Sequence, residues 1–457
     1  MKKRTILEKL FSAPAEILET GIDLEKEIEH DIKNQKPVKR AKEYWKTLGP
    51  GLVTGAADDD PSGIATYSQM GASKGFGLAW LALFSFPFMG LIQEMCARIG
   101  LSTGVGLATN IKRHYSKKIL LFCTFLLLFA NVFNIGADLG AMAKGTQLIY
   151  PKISFTFLIF VFALISLGLQ IFVPYKRYSK YLKYLALVLF AYVFSAFAVK
   201  INWSDVFFHT IVPTINFSKD EIILICAGLG TTISPYLFFW QTSQEVEEEI
   251  LKGEKTEKIR RTLNTKEDIR KMRIDNWSGM FLSNLIMFFI IVTCGATLFQ
   301  NGITNINTAA DAATALRPFA GDFAFTLFAI GIVGVGLLAI PVLAGSASYA
   351  ISESFGWKFG LYRKLKEATA FYGVIIVAMI LGIILNFIGL DPIKTLIYSA
   401  VLNGIISPIM IFFIIRISSK KEIMGEFKNK KIGNILGWFA FGFLSLVSIT
   451  TIILLFK

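Results

Sequence analysis

The sequence predicts an all-α polytopic membrane protein of eleven spans, built as two inverted five-helix repeats followed by one further helix. Three observations carry this reading: apolar runs of membrane length, a one-sided distribution of Lys and Arg, and helix-breaking motifs in the first and sixth runs. Composition sets the frame. Of 457 residues, 54% are apolar and 41 are phenylalanine, and the mean hydropathy is +0.55. A soluble chain of this length could not hide so much apolar surface in one core.

The runs 155–173, 184–199, 281–299, 371–390 and 435–456 are each close to the ~20 residues that cross the hydrocarbon. Taken between polar breaks, the candidate spans are 48–72, 77–100, 119–149, 153–174, 181–200, 220–241, 277–299, 323–352, 370–389, 392–416 and 433–456. Residues 1–46 are charged and read as a cytoplasmic N-terminal segment with no cleaved signal peptide. Residues 47–417 read as a ten-helix core with repeats 47–202 and 218–417, and 418–457 as a cytoplasmic linker and the eleventh helix. The charged stretch 245–275 reads as a solvated intracellular connector.

Charge tests the count. With the N-terminus inside, only eight of the 47 Lys and Arg residues fall on outer segments: Lys74, Lys144, Lys152, Lys200, Lys219, Arg317, Lys394 and Lys457. That is the positive-inside bias, and it predicts a multi-pass protein of the cell membrane with a cytoplasmic N-terminus and an outer C-terminus. The net charge of +14 then reports inner loops facing anionic lipid, with no nucleic-acid partner required. No obligatory protein partner is evident. Cys96, Cys123, Cys226 and Cys294 are scattered singly, so neither a thiolate metal site nor a disulfide framework is expected. His30, His114 and His209 lie outside the long apolar runs, which argues against a histidine-based site.

Two spans carry polar interruptions. The first reads Gly51-Leu-Val-Thr-Gly-Ala-Ala-Asp58-Asp59-Asp60-Pro61-Ser62-Gly63, and the sixth Ala227-Gly-Leu-Gly230-Thr231-Thr232-Ile233-Ser234-Pro235-Tyr236. Proline removes a backbone donor and clashes with the preceding turn, so each helix must unwind there. Unwound backbone at membrane depth is tolerated only where protein or a water-filled cavity satisfies it. Its carbonyls and helix ends then become ligands for cations. Breaks at matching positions of two five-span halves are the mark of an inverted-repeat transporter with its site at the midplane. Three aspartates inside one span point the same way, since each ionised group near the bilayer centre costs about 2.5–3.5 kcal/mol. The alternative is that they sit at the membrane edge and cap the short helix that Pro61 begins.

The stretch Gly49-Pro-Gly-Leu-Val-Thr-Gly-Ala-Ala-Asp-Asp-Asp-Pro-Ser-Gly63 resembles the first span of the NRAMP metal transporters, whose signature there is Asp-Pro-Gly-Asn. Gln93-Glu-Met-Cys-Ala-Arg-Ile-Gly-Leu-Ser-Thr-Gly104 is similar to their second span, Ala137-Asp138-Leu139 to an acidic motif of the third, and Thr232-Ile-Ser-Pro-Tyr236 to the sixth-span Thr-Val-Met-Pro-His. The resemblance covers about residues 45–410. It implies a LeuT-type fold and transport of a divalent metal, with no resident cofactor. Carried over residue by residue, it assigns the metal to Asp60, Gly63, Thr231 and Ser234, with extra charge from Asp59 and Asp58.

The departures are informative. The family's asparagine is Gly63 here, its methionine is Ser234, its alanine is Thr231 and its histidine is Tyr236. Ala141 stands for a third-span glutamate, the ninth span holds no arginine, and the tenth-span glutamine falls near Ala400, one turn before Asn403. A thioether favours transition metals over Mg²⁺. Without it, carboxylate, hydroxyl and carbonyl oxygens remain, the ligands of hard cations. This pattern resembles the magnesium-transporting branch related to NRAMP, which implies import of Mg²⁺, with Mn²⁺ also passing, and no proton coupling. The competing readings are a proton-coupled Mn²⁺/Fe²⁺ importer, an amino-acid symporter whose substrate carboxylate three aspartates would repel, and a Mg²⁺-dependent intramembrane prenyltransferase. That enzyme would need a second acidic cluster, which no other apolar span contains.

Overall fold

The computed structural model describes residues 49–174 and 187–457. The N-terminal segment 1–46 and the first part of the fifth candidate span lie outside the described residues. Among the described residues the regular structure is helical throughout.

The first span is two short helices, α1 (Pro50–Asp58) and α2 (Pro61–Lys74), with Asp59 and Asp60 between them. Then come α3 (Trp80–Thr103), α4 (Leu107–His114), α5 (Lys117–Ile149), α6 (Phe155–Phe172), α7 (Phe190–Ala198) and α8 (Trp203–Ile211). The sixth span is again split, into α9 (Lys219–Thr232) and α10 (Pro235–Leu251). The chain continues through α11 (Glu257–Leu263), α12 (Lys266–Thr297), α13 (Ala324–Phe355), α14 (Thr369–Leu385), α15 (Pro392–Ser419) and α16 (Lys431–Leu455). Eight helical stretches are long and apolar enough to cross a membrane, and two shorter apolar helices, Leu187–Ala198 and Thr369–Leu385, join them. With the broken first span this accounts for the eleven runs read from the sequence.

Burial separates centre from rim. In the α9–α10 stretch 89% of the most apolar window is buried, against 22% in α16. The sixth span therefore belongs to the core, whereas α16 turns Ile435, Phe439, Leu446 and Ile449 outward. Around the core, α13 lies along α5, α15 lies against α9, and α12 runs beside α1, α2 and α3. Small residues allow the closest approaches. A Cβ built on Gly55 would fall 2.3 Å from the Gly279 carbonyl oxygen, so α1 and α12 meet backbone to backbone.

The connector 245–275 is not the solvated loop the charge run suggested. α10 continues to Leu251 and α12 begins at Lys266, so most of it is helical. Glu245, Glu247 and Asp275 are buried because each has donors. Gln241 Nε2 donates to Glu245 at 2.8 Å, the Tyr349 hydroxyl to Glu247 at 2.5 Å, and the Gly49, Gly51 and Leu52 amides to Asp275 at 2.7, 2.6 and 3.0 Å. Such partners make a buried carboxylate tolerable. Sign-rich sequence looked solvated, but tertiary hydrogen bonds hold it inside.

Candidate metal site

Both breaks sit one residue before a proline, and in both the preceding residue is extended: ψ is 173° at Asp60 and 134° at Ser234. Steric conflict with the proline ring drives that conformation. Pro61 and Pro235 each open the second half-helix, where a missing N–H costs nothing. Asp60 is the N-cap of α2: its Oδ1 accepts from the Gly63 amide at 2.8 Å and the Ser62 hydroxyl at 2.6 Å. The capping and metal-site readings of the aspartates are thus compatible, since the cap is deep in the protein, with Asp60 only 1% exposed.

The two breaks face each other. A Cβ on Gly63 would lie 3.1 Å from Thr231 Oγ1 and 3.4 Å from the Asp58 carbonyl oxygen. The Tyr236 hydroxyl donates to the Ala57 carbonyl at 3.1 Å, tying the end of α1 to the start of α10. Freed carbonyls of the sixth span are also claimed. Ser234 Oγ lies 2.7 Å from the Gly230 oxygen and 2.8 Å from that of Thr231, and the Ser407 hydroxyl donates to the Ile233 carbonyl.

The five residues expected from the sequence are therefore buried at one crossing, in different postures. Gly63 meets Thr231 across the breaks, and Asp60 holds the Gly63 amide. Gly63 contributes an amide and a close approach to Thr231 and Tyr67 that a side chain would crowd, rather than a ligand atom of its own. Ser234 turns its hydroxyl onto the carbonyl of Thr231. Asp59 leans elsewhere: Ser283 on α12 donates to Asp58 Oδ2 at 2.6 Å and lies 3.2 Å from Asp59 Oδ1, whereas Asp60 Oδ2 accepts from Asn134 on α5 at 2.8 Å. The aspartates thus divide between two neighbours. Sequence reasoning missed both Ser283 and Asn134. The available signal was the spacing of Asn134 and Asp138, one helical turn apart in an otherwise apolar span.

Among the described residues, Asp58, Asp59, Asp60 and Asp138 form no ion pair with a basic side chain, and no three His, Cys, Asp or Glu residues form a ready metal cage. A cation here must combine carboxylate with carbonyl, hydroxyl or amide oxygens. Such a set suits hard divalent ions.

The family model for Nramp, natural resistance-associated macrophage protein-like, matches residues 51–454. This chain belongs to the Nramp family. A divalent metal cation transporter MntH from Caldanaerobacter subterraneus subsp. tengcongensis is 26% identical over 406 residues, covering 87% of this chain and 90% of that protein. A manganese transporter of Eremococcus coleocola, solved in complex with an aromatic bis-isothiourea substituted compound, superimposes with a TM-score of 0.72. It is 17% identical and covers 91% of this chain and 88% of its own. Mhp1, a nucleobase-cation-symport-1 family transporter in a closed conformation, gives 0.52 at 14% identity, covering 89% and 90%. These likenesses establish the LeuT-type fold. As an Nramp chain, this is an integral membrane transporter of the divalent-metal class, and the prenyltransferase reading falls.

Proposed function

We propose that this Nramp chain imports a hard divalent cation by alternating access, carrying Mn²⁺ and, through the same site, Mg²⁺. The halves 47–202 and 218–417 would move about the crossed breaks, with the N-terminus inside. Asp60 supplies the principal charge, the Thr231 carbonyl and the Ser234 hydroxyl or its bound water bracket the ion from the sixth span, and Asp59 adds charge from the next position. The observation that supports this is the crossing itself: the buried Asp60 carboxylate stands at the first break, its hydrogen-bond partner Gly63 packs against Thr231 of the second, and a serine hydroxyl stands where a thioether would confer softness. Mg²⁺ keeps several waters when bound, and the oxygens of Thr231 and Asp58 packed against Gly63 are groups such waters could bridge to. The test is uptake by the reconstituted chain of Mg²⁺, Mn²⁺, Ca²⁺ and Cd²⁺ at matched concentrations. Mn²⁺ and Mg²⁺ uptake with weak Cd²⁺ competition is the expected result, and Cd²⁺ dominating both would refute an oxygen site.

A second reading has its own support. The similarity to a divalent metal cation transporter MntH and to a manganese transporter supports Mn²⁺ as the cargo of this chain, and it suits a proton-coupled Mn²⁺/Fe²⁺ importer equally well or better. Exclusion of Mg²⁺ from the uptake series would select this reading.

A further inference from the structure

Asn134 is fully buried on α5 and spans two carboxylates. Its Nδ2 donates to Asp60 Oδ2 at 2.8 Å and lies 3.5 Å from Asp138 Oδ2. Its Oδ1 has no hydrogen-bond partner. A buried amide oxygen without a donor is uncommon. Asp138 Oδ1 and Asp58 Oδ1 are likewise buried without partners. Oxygens withheld from water and from donors favour the approach of positive charge.

We infer that Asn134 is a metal ligand: its amide nitrogen holds Asp60 while the site is empty, and its amide oxygen joins the cation when the site fills. The inference rests on the reading of Asp60 as the principal ligand. The terminal torsion of asparagine is broad and nearly two-fold, so a half-turn exchanges the NH₂ for the oxygen without moving the helix. Amide oxygens serve hard divalent ions beside carboxylates. In the empty site the same group offsets the mutual repulsion of Asp60 and Asp138 by donating toward both. A residue that only oriented Asp60 would need the nitrogen alone. The unpartnered oxygen, in a side chain whose nitrogen already touches the ligand carboxylate, is what distinguishes a ligand from a clamp.

The experiment measures Mn²⁺ and Cd²⁺ binding calorimetrically on the full chain in detergent, and uptake in liposomes, for the parent, Asn134→Leu, Asn134→Cys and Asp60→Ala. Leucine removes both ends of the amide, and Mn²⁺ affinity should fall about tenfold to a hundredfold. Cysteine places a soft sulfur where the oxygen was, so Mn²⁺ binding should weaken while Cd²⁺ binding holds or tightens, raising the Cd²⁺/Mn²⁺ preference about tenfold. Equal losses of both ions in the cysteine variant would overturn the inference, and so would parental Mn²⁺ affinity in either variant. If the leucine variant does not fold, the smaller cysteine decides the matter. Asp60→Ala separates the two levels. Parental binding there removes the underlying reading, whereas silence there with unshifted Asn134→Cys selectivity removes only the role of Asn134.

Discussion

At the scale of single residues, Asp60 combines the functions of cap and ligand, and the two can be separated by mutation. Truncation to alanine removes the α2 cap, a cost of about 0.5–2 kcal/mol, against a domain stability of about 5–15 kcal/mol. Asp60→Ala should therefore remain folded, with a monodisperse gel-filtration profile, yet lose Mn²⁺ and Mg²⁺ uptake. Transport surviving in that variant would exclude Asp60 from the site. Ser234 tests selectivity. Its hydroxyl engages the Thr231 carbonyl, so Ser234→Met would release that oxygen and add a thioether on an adaptable side chain. The Cd²⁺/Mg²⁺ preference should then rise about tenfold or more, and unchanged ratios in competition uptake would show that position 234 does not face the ion. Asp60 was legible in the sequence because three carboxylates in an apolar span are too costly to be incidental. Asn134 and Ser283 were not. A lone asparagine or serine inside a span is cheap, and only the packing of α5 and α12 reveals which carboxylate each one touches.

At the scale of the helices, proline alone did not mark the breaks. Pro87, Pro341 and Pro408 lie inside continuous helices. What distinguishes Pro61 and Pro235 is a supply of groups that satisfy the backbone they free: Tyr236 for the Ala57 carbonyl, Ser234 for Gly230 and Ser407 for Ile233. Glycines beside the prolines made both breaks legible, but their exact partners required the fold. The N-terminal end of α1 shows the same dependence. Asp275, from a stretch that looked like loop, accepts three amides at the start of that helix. Asp275→Ala would leave these donors buried and unpaired, at about 1–3 kcal/mol. The thermal unfolding midpoint in detergent should drop by several degrees, and an unchanged midpoint would show that the cap contributes nothing net.

For the whole molecule, the closing question is what drives the ion. A divalent cation gains about 4.6 kcal/mol per 100 mV of inside-negative potential, at roughly 2.3 kcal/mol per charge. That is more than a thousandfold accumulation at about 1.4 kcal/mol per factor of ten, enough for an ion plentiful outside. A proton entering by way of Asp138 would need somewhere to go. Between Asp138 and the Lys117 end of α5, the buried polar side chains of that helix are Asn134, Asn131 and Thr124. None of these releases or takes up a proton near neutral pH. Tyr236 is already committed to the Ala57 carbonyl, and Ala141 offers nothing. Along α5 itself the relay stops one turn from where it would start. Transport is therefore expected to be uncoupled, and liposomes loaded with a pH dye and a metal dye should report entry of Mn²⁺ or Mg²⁺ at fixed potential with no change in lumen pH. Asp138→Asn should leave that uptake within about threefold, since removing one carboxylate costs attraction but no proton step. Acidification that rises with metal entry, and disappears in Asp138→Asn, would instead place a working proton path beside Asp60 and make this chain a proton-coupled importer.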